Sequence, residues 1–156
     1  MTSLLARPEL LSLLDCSDHH RLTLIISPSG YGKTTLLSQW HSGQKHKTVT
    51  RFCVPEENFS VNAALNSILL EVRKQTQVIQ APFFNVFTDD VQVNEKLFVD
   101  TLVLVFESFK EEMYFIIDDF QYLNFPNESN ILNNLLVRMP SNVHFIFSSR
   151  SIPKIN

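Results

Sequence analysis

Nine consecutive residues, Ser27-Pro28-Ser29-Gly30-Tyr31-Gly32-Lys33-Thr34-Thr35, combine the residue types that holding a triphosphate requires. Small and glycine residues let successive backbone N–H groups turn inward around phosphate oxygens, and the N-terminus of a following helix adds partial positive charge. Lys33 has the reach to meet β- and γ-phosphates, and the Thr34 hydroxyl can complete the shell of a Mg²⁺ ion. Ser29, Gly30, Tyr31, Gly32, Lys33, Thr34 and Thr35 are therefore the candidate binding residues. The pattern G-x-x-x-x-G-K-[ST] is met except at its first position, where Ser27 stands in place of glycine.

Two further groups follow apolar runs. Tyr114-Phe115-Ile116-Ile117 leads directly into Asp118-Asp119, the Walker B form. Adjacent carboxylates at a strand end repel each other, and a divalent cation relieves that repulsion. Asp118 is the expected Mg²⁺ residue, acting through water, and Asp119 the expected catalytic residue, polarising an attacking water. Val143 to Phe147 leads into Ser148-Ser149-Arg150, where a serine and Arg150 are candidates to contact the γ-phosphate and report nucleotide state. His41, His46 and His144 have no acid or nucleophile at a recognisable spacing, so they read as core or surface residues. His19-His20 reads as a solvated loop rather than a metal site.

The elements that would position these groups alternate along the chain. Leu22 to Ser27 is apolar on both faces, as a strand buried between helices is. A helix from Thr34 follows the loop, with Leu36, Leu37 and Trp40 on one side, and ends near Gly43. Pro8 to Leu14 precedes them as a short helix, with Pro8 where a first turn accepts it. Thr48 to Val54 reads as a second strand and Pro55-Glu56-Glu57-Asn58 as a turn. Phe59 to Gln75 and Asn94 to Phe109 carry apolar residues at helical spacing, while Val78 to Val93 is ambiguous. Met113 to Ile117 and Val143 to Phe147 complete four strands, separated by a helix near Ser129 to Arg138. Strands alternating with helices predict a parallel α/β sheet, whose ligand lies beyond the carboxyl ends of the strands. The thirteen phenylalanines fall on the apolar faces and are expected to fill the core.

At 156 residues the chain fits one domain, and 44% hydrophobic with 19% charged residues is too apolar for disorder. Net charge is −3, and Lys45, Lys47 and Arg51 are scattered, so no direct DNA-binding face is expected. Cys16 and Cys53 form no CxxC pair, and no Cys/His cluster has zinc spacing. No apolar run approaches the length of a membrane span, and the N-terminus is unlike a signal peptide. A soluble, cytoplasmic protein with reduced thiols is expected.

With these motifs in order, the chain resembles the nucleotide-binding domain of the STAND class of P-loop NTPases. More narrowly, it is similar to the MalT-like group of ATP-dependent LuxR-family transcription regulators. The residues that carry the resemblance are Leu5-Ala6-Arg7-Pro8-Glu9-Leu10-Leu11, the stretch from Arg21 to Trp40, Ile116-Ile117-Asp118-Asp119-Phe120 and Phe147 to Pro153. It implies a three-layer α/β/α P-loop domain, ATP rather than GTP, at most slow hydrolysis timing a conformational switch, and a base site near Arg7-Pro8. Two departures stand out. Val54-Pro55-Glu56-Glu57-Asn58 replaces an acidic stretch, and Gln121 stands where a His is common.

The resemblance also implies winged-helix, sensing and helix-turn-helix domains downstream, for which no residues follow Asn156 here. The expectation is a lead-in helix over 1–20 and a partial P-loop core over 21–156, lacking the last strand and with Leu22 to Ser27 at an exposed edge. Such a chain is expected to be marginal, self-associating or dependent on a partner. Rival readings are a stand-alone P-loop ATPase or small-molecule kinase, and a remnant that binds no nucleotide.

Overall fold

A computed structural model describes residues 7–45, 47–55, 61–76, 95–123 and 130–153. The ambiguous stretch Val78 to Val93, the turn at 56–58 and His46 lie outside them. In chain order the elements are α1 (Pro8–Asp15), β1 (Leu22–Ile26), α2 (Lys33–Gly43), β2 (Thr48–Cys53), α3 (Val61–Thr76), α4 (Glu95–Glu107), β3 (Met113–Asp118), α5 (Ile131–Arg138) and β4 (Val143–Ser149). Short 3-10 turns at Cys16–His19 and Phe120–Tyr122 were not legible in the sequence. No described helix is long and apolar enough to cross a membrane.

All strand pairings are parallel, in the order β1-β4-β3-β2. The two central strands, β3 and β4, are buried along their whole length. Their side chains alternate between two cores, as the strand period of two requires. Met113, Phe115, Ile117, Val143, Phe145 and Phe147 face α3, α4 and α5. Tyr114, Ile116 and Ile146 face Leu14 of α1 and Leu36, Leu37 and Trp40 of α2. Two apolar faces on one sheet need helices on both sides, and that makes the three-layer α/β/α architecture. Phe98, Phe106, Phe115, Phe145 and Phe147 are essentially inaccessible to solvent, and each such burial contributes on the order of 2 kcal/mol.

β1 lies at the end of the described sheet, the edge position expected for it, and so is not buried between helices as its apolar residues alone suggest: Leu22 to Ile25 are half-buried and Ile26 is exposed. A strand paired on one side only presents backbone groups that no neighbour satisfies. The register nonetheless places the ends of β1, β4 and β3 side by side, with Ile26 opposite Ser149 and Ile117 opposite Phe147. The three motifs singled out from the sequence thus emerge at one edge of the molecule.

Candidate functional site

β1 delivers the loop. The Ser27 N–H donates to the Ser149 carbonyl at 3.2 Å, tying the start of the loop to the end of β4. Gly30 and Gly32 take left-handed backbone conformations, with φ of 82° and 78°. Side chains rarely adopt that region, so these two positions need glycine. Gly32 is the N-cap of α2 and has no side-chain cap, which leaves first-turn N–H groups directed toward whatever occupies the loop. Arg7 braces the outside, donating to the Tyr31 carbonyl at 2.8 Å. Lys33 is nearly buried and folded back, its ammonium donating to the carbonyls of Ser27 at 2.7 Å and Pro28 at 3.1 Å. A phosphate would compete for that ammonium with two neutral acceptors, and a charged acceptor forms the stronger bond.

Ser29, Gly30, Gly32, Lys33, Thr34, Thr35, Asp119 and Arg150 line one cavity of about 330 Å³. Eight of the ten sequence-nominated residues therefore meet there. Tyr31 instead lines a neighbouring apolar cavity of about 410 Å³, with Arg7, Leu10, Leu13, Leu24 and Ile26, and the two cavities share Gly32 and Lys33.

Asp119 follows β3 with φ of 57°, a left-handed conformation that Asp tolerates better than most residues. It is held there by its own N–H, which donates to the Ser148 hydroxyl at 3.0 Å, and by Gln121, whose amide donates to the Asp119 carboxylate at 2.9 Å. The Gln121 carbonyl oxygen in turn accepts the Arg150 N–H at 3.0 Å. Gln121, the departure from the resembled pattern, bridges the ends of β3 and β4. The Arg150 guanidinium donates to the Tyr122 hydroxyl at 2.6 Å and lies 5.2 Å from that ring's centre. Ser148 and Ser149, the last residues of β4, are buried, and Arg150 just after them reaches the cavity.

Asp118 is placed differently from the sequence expectation. Its side chain is fully buried. One carboxylate oxygen accepts the Ser148 hydroxyl and the Asp119 N–H, and the other accepts the Arg51 guanidinium at 2.7 Å. Arg51 also donates to the Ser38 hydroxyl at 2.7 Å and to the Thr34 carbonyl at 3.4 Å. It thereby spans Thr34 and Asp118, the two residues expected to hold Mg²⁺. Among the described residues no group of three or more His, Cys, Asp or Glu side chains is placed to hold a metal ion. As arranged, the donor set does not fit a divalent cation. Arg51 escaped sequence reasoning because it lies 67 residues from its partner. The only local signal was a lone arginine in an otherwise uncharged strand. The negative field at these strand ends registers on Cys53: partial burial, and then Asp118 and Asp119, push its thiol up.

His144 is buried, as a core residue is, with a partner 32 residues away that no sequence spacing shows. That partner is Glu112 at 2.5 Å, and the other His144 ring nitrogen lies 3.0 Å from the His20 carbonyl. This pair sits at the starts of β3 and β4, away from the cavity.

Comparison with known proteins agrees with this architecture. Over 155 residues the chain is 26% identical to the HTH-type transcriptional regulator MalT of Klebsiella pneumoniae, covering 96% of this chain and 16% of that protein. The MalT regulator of Vibrio campbellii is likewise 26% identical over 157 residues, with 97% and 16% covered. The chain thus spans about a sixth of the length of these curated relatives. No family model matches it. Among solved structures, Drosophila ORC bound to DNA superposes with a TM-score of 0.55 at 16% identity, covering 93% of this chain and 76% of that one. Drosophila ORC bound to AT-rich DNA and Cdc6 gives 0.55 at 18%, covering 93% and 44%. The fold shared with these structures is a layered α/β arrangement around a parallel sheet.

Proposed function

We propose that this chain binds ATP at the Ser29–Thr35 loop and acts as the nucleotide-dependent switch of a MalT-like transcription regulator. The observation that carries the reading is the cavity in which an uncapped helix N-terminus, two left-handed glycines, Lys33, Asp119 and Arg150 converge. Lys33 would leave the Ser27 and Pro28 carbonyls for the β- and γ-phosphates, and Arg150 would leave Tyr122 for the γ-phosphate. The apolar cavity beside Arg7 and Tyr31 has room for the base and continues directly from the phosphate cradle. Asp119 would accept the proton of a water attacking the γ-phosphate, with ADP and phosphate as products. The regulatory role is supported by the similarity to the MalT proteins. Mg²⁺ enters this reading only if Arg51 releases Asp118.

Titration with a fluorescent ATP analogue tests it. Lys33→Ala removes one charge-assisted contact and is expected to weaken binding on the order of 10- to 100-fold. A folded wild-type chain that binds no nucleotide, or an unchanged affinity in the variant, would sink the proposal.

A further inference from the structure

We propose that Arg51 is a built-in counter-cation for Asp118, so that nucleotide binding here is independent of divalent metal for as long as Arg51 stays in place. This rests on the nucleotide reading above and concerns the metal requirement of the same site.

A fully buried carboxylate needs a compensating positive charge. In this chain the compensation comes from the protein itself. The Arg51 guanidinium contacts Asp118 at 2.7 Å with the pair only 18% and 0% exposed. It is anchored a second time on α2, through the Ser38 hydroxyl and the Thr34 carbonyl. Ser38 is itself fixed, its hydroxyl donating to the Thr34 carbonyl at 2.8 Å. The other carboxylate oxygen is closed off by Ser148 and the Asp119 N–H. A metal would have to evict a planar cation with several hydrogen bonds while giving up part of its own tightly held hydration shell. The charge of the phosphates is left to Lys33, Arg150 and the α2 N-terminus, all of which border the cavity without involving Asp118.

Arg51 is thus a specificity-determining residue whose removal should turn a metal-indifferent site into a metal-requiring one. The test measures the affinity of a fluorescent ATP analogue in millimolar Mg²⁺ and in EDTA, together with thermal unfolding without nucleotide in both. Wild-type affinities are expected to agree within about threefold. Arg51→Met frees Asp118, and chelation is then expected to weaken binding about tenfold or more. Mg²⁺ should also raise the unfolding temperature of this variant, or restore cooperative unfolding to it, and leave the wild type unmoved. If Arg51→Met fails to fold in either buffer, the wild type and Arg51→Lys decide: the lysine variant keeps the charge but loses the fork, so chelation is expected to weaken its binding more than that of the wild type. A wild-type affinity that falls about tenfold or more in EDTA overturns this inference and leaves the nucleotide reading standing. So does an Arg51→Met chain that folds and stays metal-indifferent. A folded wild type that binds in neither buffer overturns both.

Discussion

Arg51 and Asp118 form a buried pair in which neither residue is independent of the other. Removing one partner of such a pair strands a charge in a low-dielectric site, whereas removing both does not. Arg51→Met is therefore expected to lower the unfolding free energy by about 3–5 kcal/mol in metal-free buffer. The double variant Arg51→Met/Asp118→Asn should recover a clear part of that loss. Urea denaturation of wild type, single and double variants measures the coupling. Additive losses would show that the 2.7 Å contact contributes no coupling energy. At the same scale, Asp119 is placed by three hydrogen bonds rather than by its intrinsic preference, since a non-glycine residue at φ of 57° needs outside support.

At the scale of elements, the loop and α2 act as one piece. Gly32 ends the loop and caps the helix, and a Cβ there would both demand an unfavourable φ and meet the Arg7 guanidinium at 3.4 Å. Gly32→Ala is expected to cost about 1–2 kcal/mol of stability from backbone strain alone. It should also weaken phosphate binding, because the first-turn N–H groups would lose their alignment. Gly43 ends the same helix with open space around its Cβ position and no left-handed φ. Gly43→Ala is expected to gain up to about 0.5–1 kcal/mol by narrowing the unfolded ensemble. Chemical denaturation and nucleotide titration of both variants test the contrast, and equal effects at the two glycines would refute it.

Across the whole molecule the two ends of the sheet have different tasks. The strand ends converge on the cavity, while the strand starts carry a polar cluster of Asp18, Lys47, Tyr114, Glu112 and His144. Burial and the hydrogen bond to Asp18 push the Tyr114 hydroxyl up to about 12 from its ordinary 10.0. Because the folded chain holds this proton more tightly, the associated stability is complete below pH 10 and is lost as pH rises toward about 12. Lys47 is also raised: hydrogen bonds to Tyr114 and Asp18 outweigh the lowering effect of its burial, so its contribution fades above 10.5. Tyr114→Phe is expected to flatten the alkaline decline without abolishing it and to leave nucleotide affinity unchanged. Unfolding free energies measured from neutral to strongly alkaline pH check this; an unaltered decline would mean that Tyr114 does not report the folded state.

The sequence by itself determined the alternation of strands and helices, the glycine-containing loop from Ser29 to Thr35 and the acidic pair after β3. Each of these is set by contiguous residues, through backbone conformational freedom at Gly30 and Gly32 and through apolar periodicity. It also identified the residues that line the cavity, because a parallel sheet sends its strand ends to one side whatever the strand order. The tertiary structure decided the rest. It brought Arg51 onto Asp118 across 67 residues and linked Arg150 to Gln121 across 29. Those partners are chosen by strand order and register, which depend on how two apolar faces are covered at once. No stretch of chain encodes that locally, so the loop could be read from the sequence while the cation facing Asp118 could not.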